Sequence, residues 1–321
     1  MWDTDAPITS TMFDNESYGN MLLYLPSTTS FAHSLVDKGA VIIVKDGRSG
    51  AITLINDKPF YCPQSFVAEH ISYQRQFTQV TGIGSSAGWE TIMLPFDVKA
   101  ITHSEKGSIA PFGATAANHF WLASPKEALF GAVTDFCANT PYIIAMPNHD
   151  AYGEYAMGGM VTFSAENATV HATTGELSGS GNGFVLKGTY DEVSPSSTVY
   201  ALNVGARFED YSAGSVFVSN RYVVAPFSAY VVASNGLSSA PLYRIAFADE
   251  GDNEEPNVTE FSVSSHGGVV YISTPEACQV RVYDMTGRRV CIIACAVGVN
   301  EVHSLSEGMY IIEKTKVYVN R

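Results

Sequence analysis

Short runs of apolar, β-branched and aromatic residues recur along the chain, separated by segments rich in Gly, Ser, Asn and Pro. Within the runs, apolar and polar positions alternate with a period of two, as in a strand with one buried face. No long segment carries apolar residues at helical spacing, and the best helix candidate, Pro125 to Phe130, is at most one or two turns long. The pattern predicts an all-β protein.

Up to residue 247 the runs predict strands at short intervals. The turn-rich segment KDGRSG between two of them predicts a hairpin. Many short strands at this spacing are typical of a β-sandwich or barrel-like domain. The predicted strands are Met21–Pro26, Ala40–Val44, Ala51–Ile55, Ile71–Phe77, Thr91–Leu94, Tyr142–Ala145, Met160–Phe163, Phe184–Tyr190, Thr198–Asn203, Ser215–Val218, Tyr230–Ala233 and Leu242–Phe247.

The acidic stretch ADEGDNEEPN interrupts this pattern and predicts a linker over residues 248–257. Beyond it, residues 258–321 alternate cleanly in about six or seven short strands, which predicts a small Ig-like β-sandwich. Before it we expect an N-terminal β segment, residues 1–69, and a main β-sandwich domain, residues 70–247. The strands predicted after the linker are Phe261–Val263, Val269–Ile272, Gln279–Asp284, Val290–Ala294, Met309–Glu313 and Lys316–Val319.

Charge supports this division and narrows the classes of partner. The formal net charge is −14, yet basic and acidic residues balance from Val258 onward, so the acidic excess lies in residues 1–257. Phosphate backbones and anionic bilayers attract clustered cations, so we expect no nucleic-acid partner. No apolar run approaches the roughly 20 residues that a membrane-spanning helix needs, so no such segment is predicted.

The five cysteines have no CxxC spacing, which argues against a zinc site and against a dense disulfide framework. Cys291 and Cys295 lie four apart in a predicted strand, where they are expected to be small buried hydrophobes. One disulfide that includes Cys278 is left open.

No motif predicts a catalytic residue, a metal site or a cofactor. Residues 84–88 match GxSxG, but the following WETIMLPF has β character, so no helix is expected to receive a nucleophile elbow. The acidic linker lacks the ligand order of an EF-hand, and SGSGN at Ser178 is interpreted as a hairpin turn rather than a phosphate loop. A glycoside hydrolase remains an alternative, because the separation of its paired carboxylates is a spatial property.

The strongest candidate for ligand binding is the segment NHDAYGEY, which concentrates aromatic and polar residues. Aromatic faces and carboxylates suit a polar ligand such as a sugar. The alternative interpretation is an exposed loop between strands, since loops collect such residues in general. Trp89 is expected in the core, whereas Trp121 is interpreted as either a core residue or a stacking platform. The candidate ligand-binding residues are His149, Asp150, Tyr152, Tyr155 and Trp121.

The C-terminal segments VRVYDMTGRRV and LSEGMYIIEKTKVYV, and the spacing between them, resemble the C-terminal sandwich domains of secreted Bacteroidetes proteins. These include the sorting domains that the type IX secretion system recognises. The resemblance implies export and surface attachment or release, and it covers about 60 residues. The matching positions are Val280, Val282, Tyr283, Asp284, Gly287, Gly308, Tyr310 and the closing strand near Lys316.

A second resemblance covers roughly residues 48 to 245. The segments GWETIMLPFDV, ANTPYIIAMP, FVLKGTY and VAPFSAYVV, with the upstream ITLINDKPFYCPQSFVAEHISYQRQF, are similar to segments that follow the repeats in Bacteroidetes leucine-rich-repeat surface proteins. That family is adhesin-like. The resemblance implies an extracellular or outer-membrane surface location and does not specify a ligand.

Three functional hypotheses follow. The first is a non-catalytic, secreted or cell-surface, adhesin-like protein whose partner is a host or cell-surface glycan or protein. The second is a carbohydrate-binding module that uses exposed aromatic residues. The third is a β-sandwich glycoside hydrolase. The first two differ in whether Trp121, Tyr152 and Tyr155 line an exposed groove, and the third requires two carboxylates that face one cleft.

Overall fold

The structure is a computed structural model that divides the chain into two compact units, Met1–Asp249 and Glu250–Arg321. Within them 24 strands and one short 3-10 helix are described. The predicted linker, residues 248–257, and Gly287 lie outside the described residues. The structure describes residues 19–26, 41–81, 87–126, 129–175, 177–181, 184–205, 207–233, 242–245, 247, 261–266, 269–274, 277–284, 288–295, 298–313 and 315–319.

The first unit contains strands β1 to β17 and the 3-10 helix Asp150–Tyr155. The strands are β1 Leu22–Leu25, β2 Ile42–Lys45, β3 Arg48–Leu54, β4 Phe66–Phe77, β5 Glu90–Ile92, β6 Ala100–His103, β7 Gly107–Pro111, β8 Asn118–Lys126, β9 Leu129–Ala132, β10 Tyr142–Ala145, β11 Gly159–Val170, β12 Ser178–Gly181, β13 Phe184–Thr189, β14 Tyr200–Leu202, β15 Val216–Ser219, β16 Ser228–Ala233 and β17 Leu242–Arg244.

These strands form two sheets. An 11-stranded sheet has the order β1-β2-β3-β4-β11-β6-β7-β8-β10-β5, with β9 paired to β8, and a six-stranded sheet has the order β12-β13-β16-β14-β15-β17. The two longest strands, β4 and β11, pair antiparallel from Phe77↔Gly159 to Phe66↔Val170. Three neighbouring pairs, β1–β2, β3–β4 and β7–β8, are parallel.

Residues of both sheets share a buried apolar cluster. Ala123 and Ile143 of the 11-stranded sheet pack in it with Leu186, Phe217 and Val231 of the six-stranded sheet. A larger cluster lies against β4 and β11 and includes Phe163 and Tyr73. Because alternate side chains of a strand point to opposite faces, sheets that share a core in this way form a sandwich-type architecture. The all-β fold class is therefore confirmed.

The predicted hairpin at KDGRSG is present between β2 and β3, with Lys45 opposite Arg48. Its two turn residues, Asp46 and Gly47, have φ values of 52° and 69°. Positive φ at both positions is what a two-residue hairpin turn matching the strand twist requires, and an Asp-Gly pair adopts it readily. This short-range signal was readable from the sequence because the turn chemistry is local.

Every predicted strand overlaps an observed one, but the helix candidate is wrong. Pro125 and Lys126 end β8, and Leu129 and Phe130 begin β9. The two strands pair antiparallel with Lys126 opposite Leu129 and Pro125 opposite Phe130. Pairing in the sheet outweighs the helix propensity of this short segment. Strands β6 to β9 and β12, and the later strand Gly298–Val302, were not predicted.

The predicted division between residues 69 and 70 falls inside β4, which spans Phe66–Phe77. Strand β4 pairs in parallel with β3 along one edge and antiparallel with β11 along its other edge. Residues 41–69 therefore share one sheet with the strands that follow them. The N-terminal segment and the main domain belong to the same compact unit.

The second unit consists of two small sheets, ordered β18-β19-β22 and β21-β20-β23-β24. Both sheets contribute to one buried cluster, for example through Val270 and Ile272 of the first and Val280, Val282 and Ile312 of the second. Seven strands around one core match the small sandwich predicted for this region. The strands are β18 Ser262–His266, β19 Val269–Thr274, β20 Cys278–Asp284, β21 Arg289–Cys295, β22 Gly298–Val302, β23 Gly308–Ile312 and β24 Thr315–Val319.

Candidate functional site

Strands β7 and β8 bring three aromatic side chains together at the surface of the first unit. The two strands run parallel, with Pro111 opposite Phe120, so Phe112 follows β7 beside the middle of β8. The Phe112 amide donates a hydrogen bond to the Phe120 carbonyl oxygen at 2.9 Å. Along β8 Phe120 is fully buried, whereas its neighbours His119 and Trp121 are half-buried. The alternation of strand faces thus directs these two rings away from Phe120.

The rings continue into the segment after β10. The ring centroids of Phe112 lie 5.2 Å from those of both His119 and Trp121. The Trp121 ring lies 5.8 Å from the Tyr152 ring, which lies 6.5 Å from His149. We call these five side chains the aromatic row. It joins residues that are up to 40 positions apart in sequence into one contiguous surface.

The segment that carries Tyr152 and His149 is anchored on both sides. The amide of Asn148 donates to Thr81 Oγ1 at 2.9 Å, and its side-chain nitrogen donates to the Gln79 carbonyl at 3.0 Å. A Cβ at Gly158 would meet the Asn148 side-chain amide, so a side chain there would displace the group that bonds the Gln79 carbonyl. The Lys106 ammonium donates to the Glu154 carbonyl at 2.8 Å. The 3-10 helix is therefore held against the strands that carry the other rings.

His149 has a structural role as well as a surface position. It precedes the 3-10 helix, and its Nδ1 accepts a hydrogen bond from the Ala151 amide at 3.0 Å. This bond satisfies one of the free amides at the start of a helix. It also requires Nδ1 to be unprotonated, which leaves Nε2 as the donor of the neutral ring.

The structure brings together three of the five predicted ligand-binding residues: Trp121, Tyr152 and His149 are joined by ring contacts. Asp150 and Tyr155 flank them, at the first and last positions of the 3-10 helix. Both are exposed, with Tyr155 at 57%. Trp121 is half-buried and packs partly against the core shared by the two sheets, so both interpretations of this residue hold in part. Trp89 is buried in that core, as predicted.

His119 and Phe112 are the two members of the row that were not among the predicted ligand-binding residues, and Phe112 is 44% exposed. It stands in the turn-rich segment APFGA, where a single aromatic residue has no strand pattern around it. The one sequence signal for Phe112 was that it is a single aromatic residue among small residues. Its neighbours depend on the parallel pairing of β7 and β8, which has no local signature.

His119 carries an unusual feature of the row. Its Nδ1 is buried and is the one such side-chain nitrogen or oxygen in the described residues that has no hydrogen-bond partner. A buried polar atom without a partner costs free energy. The His119 ring stacks on Phe112 with an angle of 26° between the ring planes. This contact is favourable and opposes the cost of the unpaired Nδ1.

A second group of polar residues lies inside the first unit. Arg75 Nη2 is 2.9 Å from Glu90 Oε2, and Arg75 Nη1 donates to the Thr91 carbonyl at 2.7 Å. Burial raises the pKa of the Glu90 carboxyl, and the Arg75 guanidinium opposes that increase. Burial likewise raises the pKa of the neighbouring Tyr73 hydroxyl to about 12. A buried carboxylate that is bonded to arginine has the properties of a structural ion pair.

A cavity of about 300 Å³ adjoins this ion pair and bears on the hydrolase hypothesis. Asp57, Arg75 and Thr91 line it together with mainly apolar residues, and Glu90 does not belong to its wall. Asp57 is close enough to Glu90 for its charge to add to the pKa increase of that carboxyl. The cavity thus presents one carboxylate, whereas glycoside hydrolysis uses two that face the substrate.

Other predicted motifs contribute no chemistry to the described part of the chain. Of the GxSxG segment, residues 84–86 lie outside the described residues, and Gly88 is followed by β5 rather than by a helix. Cys62, Cys137, Cys278, Cys291 and Cys295 are free. Cys295 is buried as predicted, whereas Cys291, which was also expected to be buried, is half-buried. Among the described residues no group of three or more His, Cys, Asp or Glu side chains is placed to hold a metal ion.

Comparisons with known proteins complete the description of the site. The chain matches no protein-family model, no curated protein and no solved structure. In the described residues no helix combines the length and the apolar character that crossing a bilayer demands.

Proposed function

We propose that this chain is a non-catalytic, secreted or cell-surface, adhesin-like protein that binds carbohydrate through the aromatic row. The observation that carries the proposal is the contiguity of five rings on one surface, from Phe112 to His149. The C–H faces of a sugar ring are apolar and pack on aromatic faces. Its hydroxyl groups need polar partners at the rim.

The length of the row favours a glycan over an isolated small molecule. The rings of Phe112, Trp121 and Tyr152 follow one another in contact, with centroids 5.2 and 5.8 Å apart, so they offer a longer apolar surface than one ring does. Aromatic side chains lose little conformational entropy on binding, because they have only two side-chain torsions. An anchored row of this kind is suited to successive units of an oligosaccharide.

Polar groups for the hydroxyls stand beside the rings. Asp150 is exposed at the first position of the 3-10 helix, where its carboxylate can accept hydrogen bonds. His149 uses Nδ1 for the Ala151 amide, so its Nε2 is the ring nitrogen that remains for a ligand. The formal charge of −14 opposes nucleic acid as the partner and leaves a neutral or weakly charged glycan favoured.

The location and the adhesin-like character are part of the same proposal. They are supported by the resemblance of residues 48 to 245 to segments of leucine-rich-repeat surface proteins. The resemblance of the C-terminal 60 residues to sorting-type sandwiches supports export. A protein exported to a cell surface meets host or cell-surface glycans, which is the class of ligand that the aromatic row suits.

The test is glycan-array binding by the intact chain, followed by titration of a bound oligosaccharide against variants. We expect Trp121→Ala to weaken binding about 30-fold, since a central aromatic contact is commonly worth about 2 kcal/mol. Tyr152→Ala should weaken it about tenfold. The matched control is Tyr61→Ala, since Tyr61 is 68% exposed in the same unit and outside the row.

Two binding results would contradict the carbohydrate-binding proposal. Absence of binding across the array would remove the proposal, and so would equal effects of Tyr152→Ala and Tyr61→Ala. Because Trp121 also contacts the core, thermal unfolding of each variant separates lost affinity from lost folding. Release of reducing sugar from a bound glycan would favour the glycoside hydrolase instead.

A further inference from the structure

Two cysteines of the second unit face each other across neighbouring strands. Strands β20 and β21 pair antiparallel, and Cys278 is directly opposite Cys295. Cys295 is buried and Cys278 is half-buried, and both pack with the core cluster of the unit. The pair lies at the open end of the hairpin, because Cys278 is the first residue of β20 and Cys295 is the last residue of β21.

The geometry of an antiparallel pair is compatible with a disulfide. Directly opposite residues have Cα atoms about 4.5–5.5 Å apart, within the range of about 4.4–6.8 Å seen for bridged cysteines. Their Cβ atoms are about 4.5–5.5 Å apart, which leaves only a small closure to the usual disulfide spacing. Charge interaction supports this proximity: burial raises the pKa of the Cys295 thiol, and the neighbouring Cys278 raises it further.

We propose that Cys278 and Cys295 form a disulfide when the chain meets an oxidising compartment. The oxidant is a small external disulfide such as oxidised glutathione. The Cys278 thiolate attacks one sulfur of that disulfide and releases one small thiol, which leaves a mixed disulfide on Cys278. The Cys295 thiolate then attacks the Cys278 sulfur and releases the second small thiol. The protein loses two electrons and two protons, and the external disulfide gains them.

The third cysteine of the unit shows why this pairing is specific. Cys291 points to the same side of β21 as Cys295, but it lies opposite Val282. Four residues of strand separate the two cysteines by about 13 Å, well beyond the reach of a disulfide. Cys62 and Cys137 belong to the other unit. Of the three cysteines in this unit, Cys278 and Cys295 are the pair in register.

The consequence of the bond follows from its position. Hairpin strands separate most readily at the open end, and a bond there ties β20 to β21 where no turn does so. Closing a loop of about 18 residues also restricts the unfolded chain. Oxidation would therefore make the sandwich more resistant to unfolding. The inference does not rest on the carbohydrate site, which lies in the first unit.

The experiment uses the full-length chain incubated with oxidised glutathione, then denatured for a thiol count and digested without reduction for peptide mass mapping. We expect the bridge to remove two of the five thiols of the reduced chain. A glutathione adduct on the exposed Cys137 is recognised by its added mass and counted separately. The map should contain one linked peptide pair with Cys278 and Cys295. Dithiothreitol should restore the original count.

Variants provide the matched comparison. Cys291→Ser should still lose two thiols, whereas Cys278→Ser should form no internal bridge. A thiol count that stays at five, a bridge that includes Cys291, or a glutathione adduct that persists on Cys278 would each overturn the proposal. The wild-type map alone decides the matter if a variant does not fold.

Discussion

Replacing Arg75 by Met should lower the free energy of unfolding by about 3–5 kcal/mol. The Arg75 side chain is 12% exposed and that of Glu90 is 5% exposed, so the variant leaves a carboxylate buried without its cation. It also removes the hydrogen bond to the Thr91 carbonyl. Urea denaturation at neutral pH measures this loss.

The control is an ion pair on the surface of the same unit. Lys99 Nζ lies 3.9 Å from Asp97 Oδ2, with side chains that are 70% and 51% exposed. Water screens such a pair, so Lys99→Met should change the free energy of unfolding by less than about 1 kcal/mol. Equal effects of Arg75→Met and Lys99→Met would contradict the assignment of Arg75 and Glu90 as a buried pair.

Removing both charges should recover much of the stability that Arg75→Met loses. The double variant Arg75→Met with Glu90→Leu leaves no buried charge, and apolar replacement of a buried pair is often neutral. We therefore expect it to be more stable than the single variant. A double variant that is less stable than Arg75→Met would show that Glu90 makes a further essential contact.

The loss in Arg75→Met should also depend on pH. Without the guanidinium, the pKa of Glu90 in the folded state rises further above its value in the unfolded chain, because burial and the Asp57 charge are then opposed only by a backbone hydrogen bond at Thr78. The folded state then takes up a proton more readily than the unfolded state. The destabilisation relative to wild type should therefore be largest at neutral pH and shrink as the pH falls to about 5.

Phe227→Ala should be comparably destabilising, by about 3–5 kcal/mol. Phe227 is fully buried, and its ring centroid lies 5.0 Å from Tyr73, 5.5 Å from Tyr190 and 6.2 Å from Phe60. It precedes β16 of the six-stranded sheet, yet it packs in the core cluster that lies against β4 and β11. Truncation would open a cavity where a connection of one sheet enters the core of the other.

The stability loss of Phe227→Ala is measured by thermal and denaturant unfolding and compared with that of two other variants. Phe227→Leu keeps most of the volume, so its loss should be well below that of Phe227→Ala. Phe112→Ala removes the same ring from a site that is 44% exposed, and its effect on stability should be small. Similar losses at the two positions would show that Phe227 is not a central contact of the core.

The sequence predicted those strands whose pattern is local. The strand Tyr142–Ala145 was predicted with the bounds that the structure has, because a short continuous apolar run indicates a buried strand without reference to its neighbours. Residues Ser178–Gly181, which were interpreted as part of a hairpin turn, form strand β12. This strand was missed because the segment has no apolar positions and its strand character depends on pairing with β13. The segment Pro125 to Phe130 was the best helix candidate because propensity was considered without the pairing of β8 with β9.

The candidate site divides in the same way. The cluster around His149 and Tyr152 could be predicted from a concentration of aromatic and polar residues in one segment. Trp121 was predicted as either a core residue or a stacking platform, without its strand. That the Trp121 and Tyr152 rings meet depends on the pairing of β8 with β10, which sets Trp121 opposite Ala145. Phe112 joins them only through the parallel register of β7 and β8.

Alone, the sequence determined the all-β class, the sheet-forming character of most segments and the presence of a separate C-terminal sandwich, because alternation and turn chemistry act over a few residues. Tertiary structure decided which strands are neighbours. It thereby decided which rings form a surface, which carboxylate is buried against Arg75 and which cysteines face each other. Register between distant strands is fixed by burying both faces of a shared core, and that is a property of the whole unit.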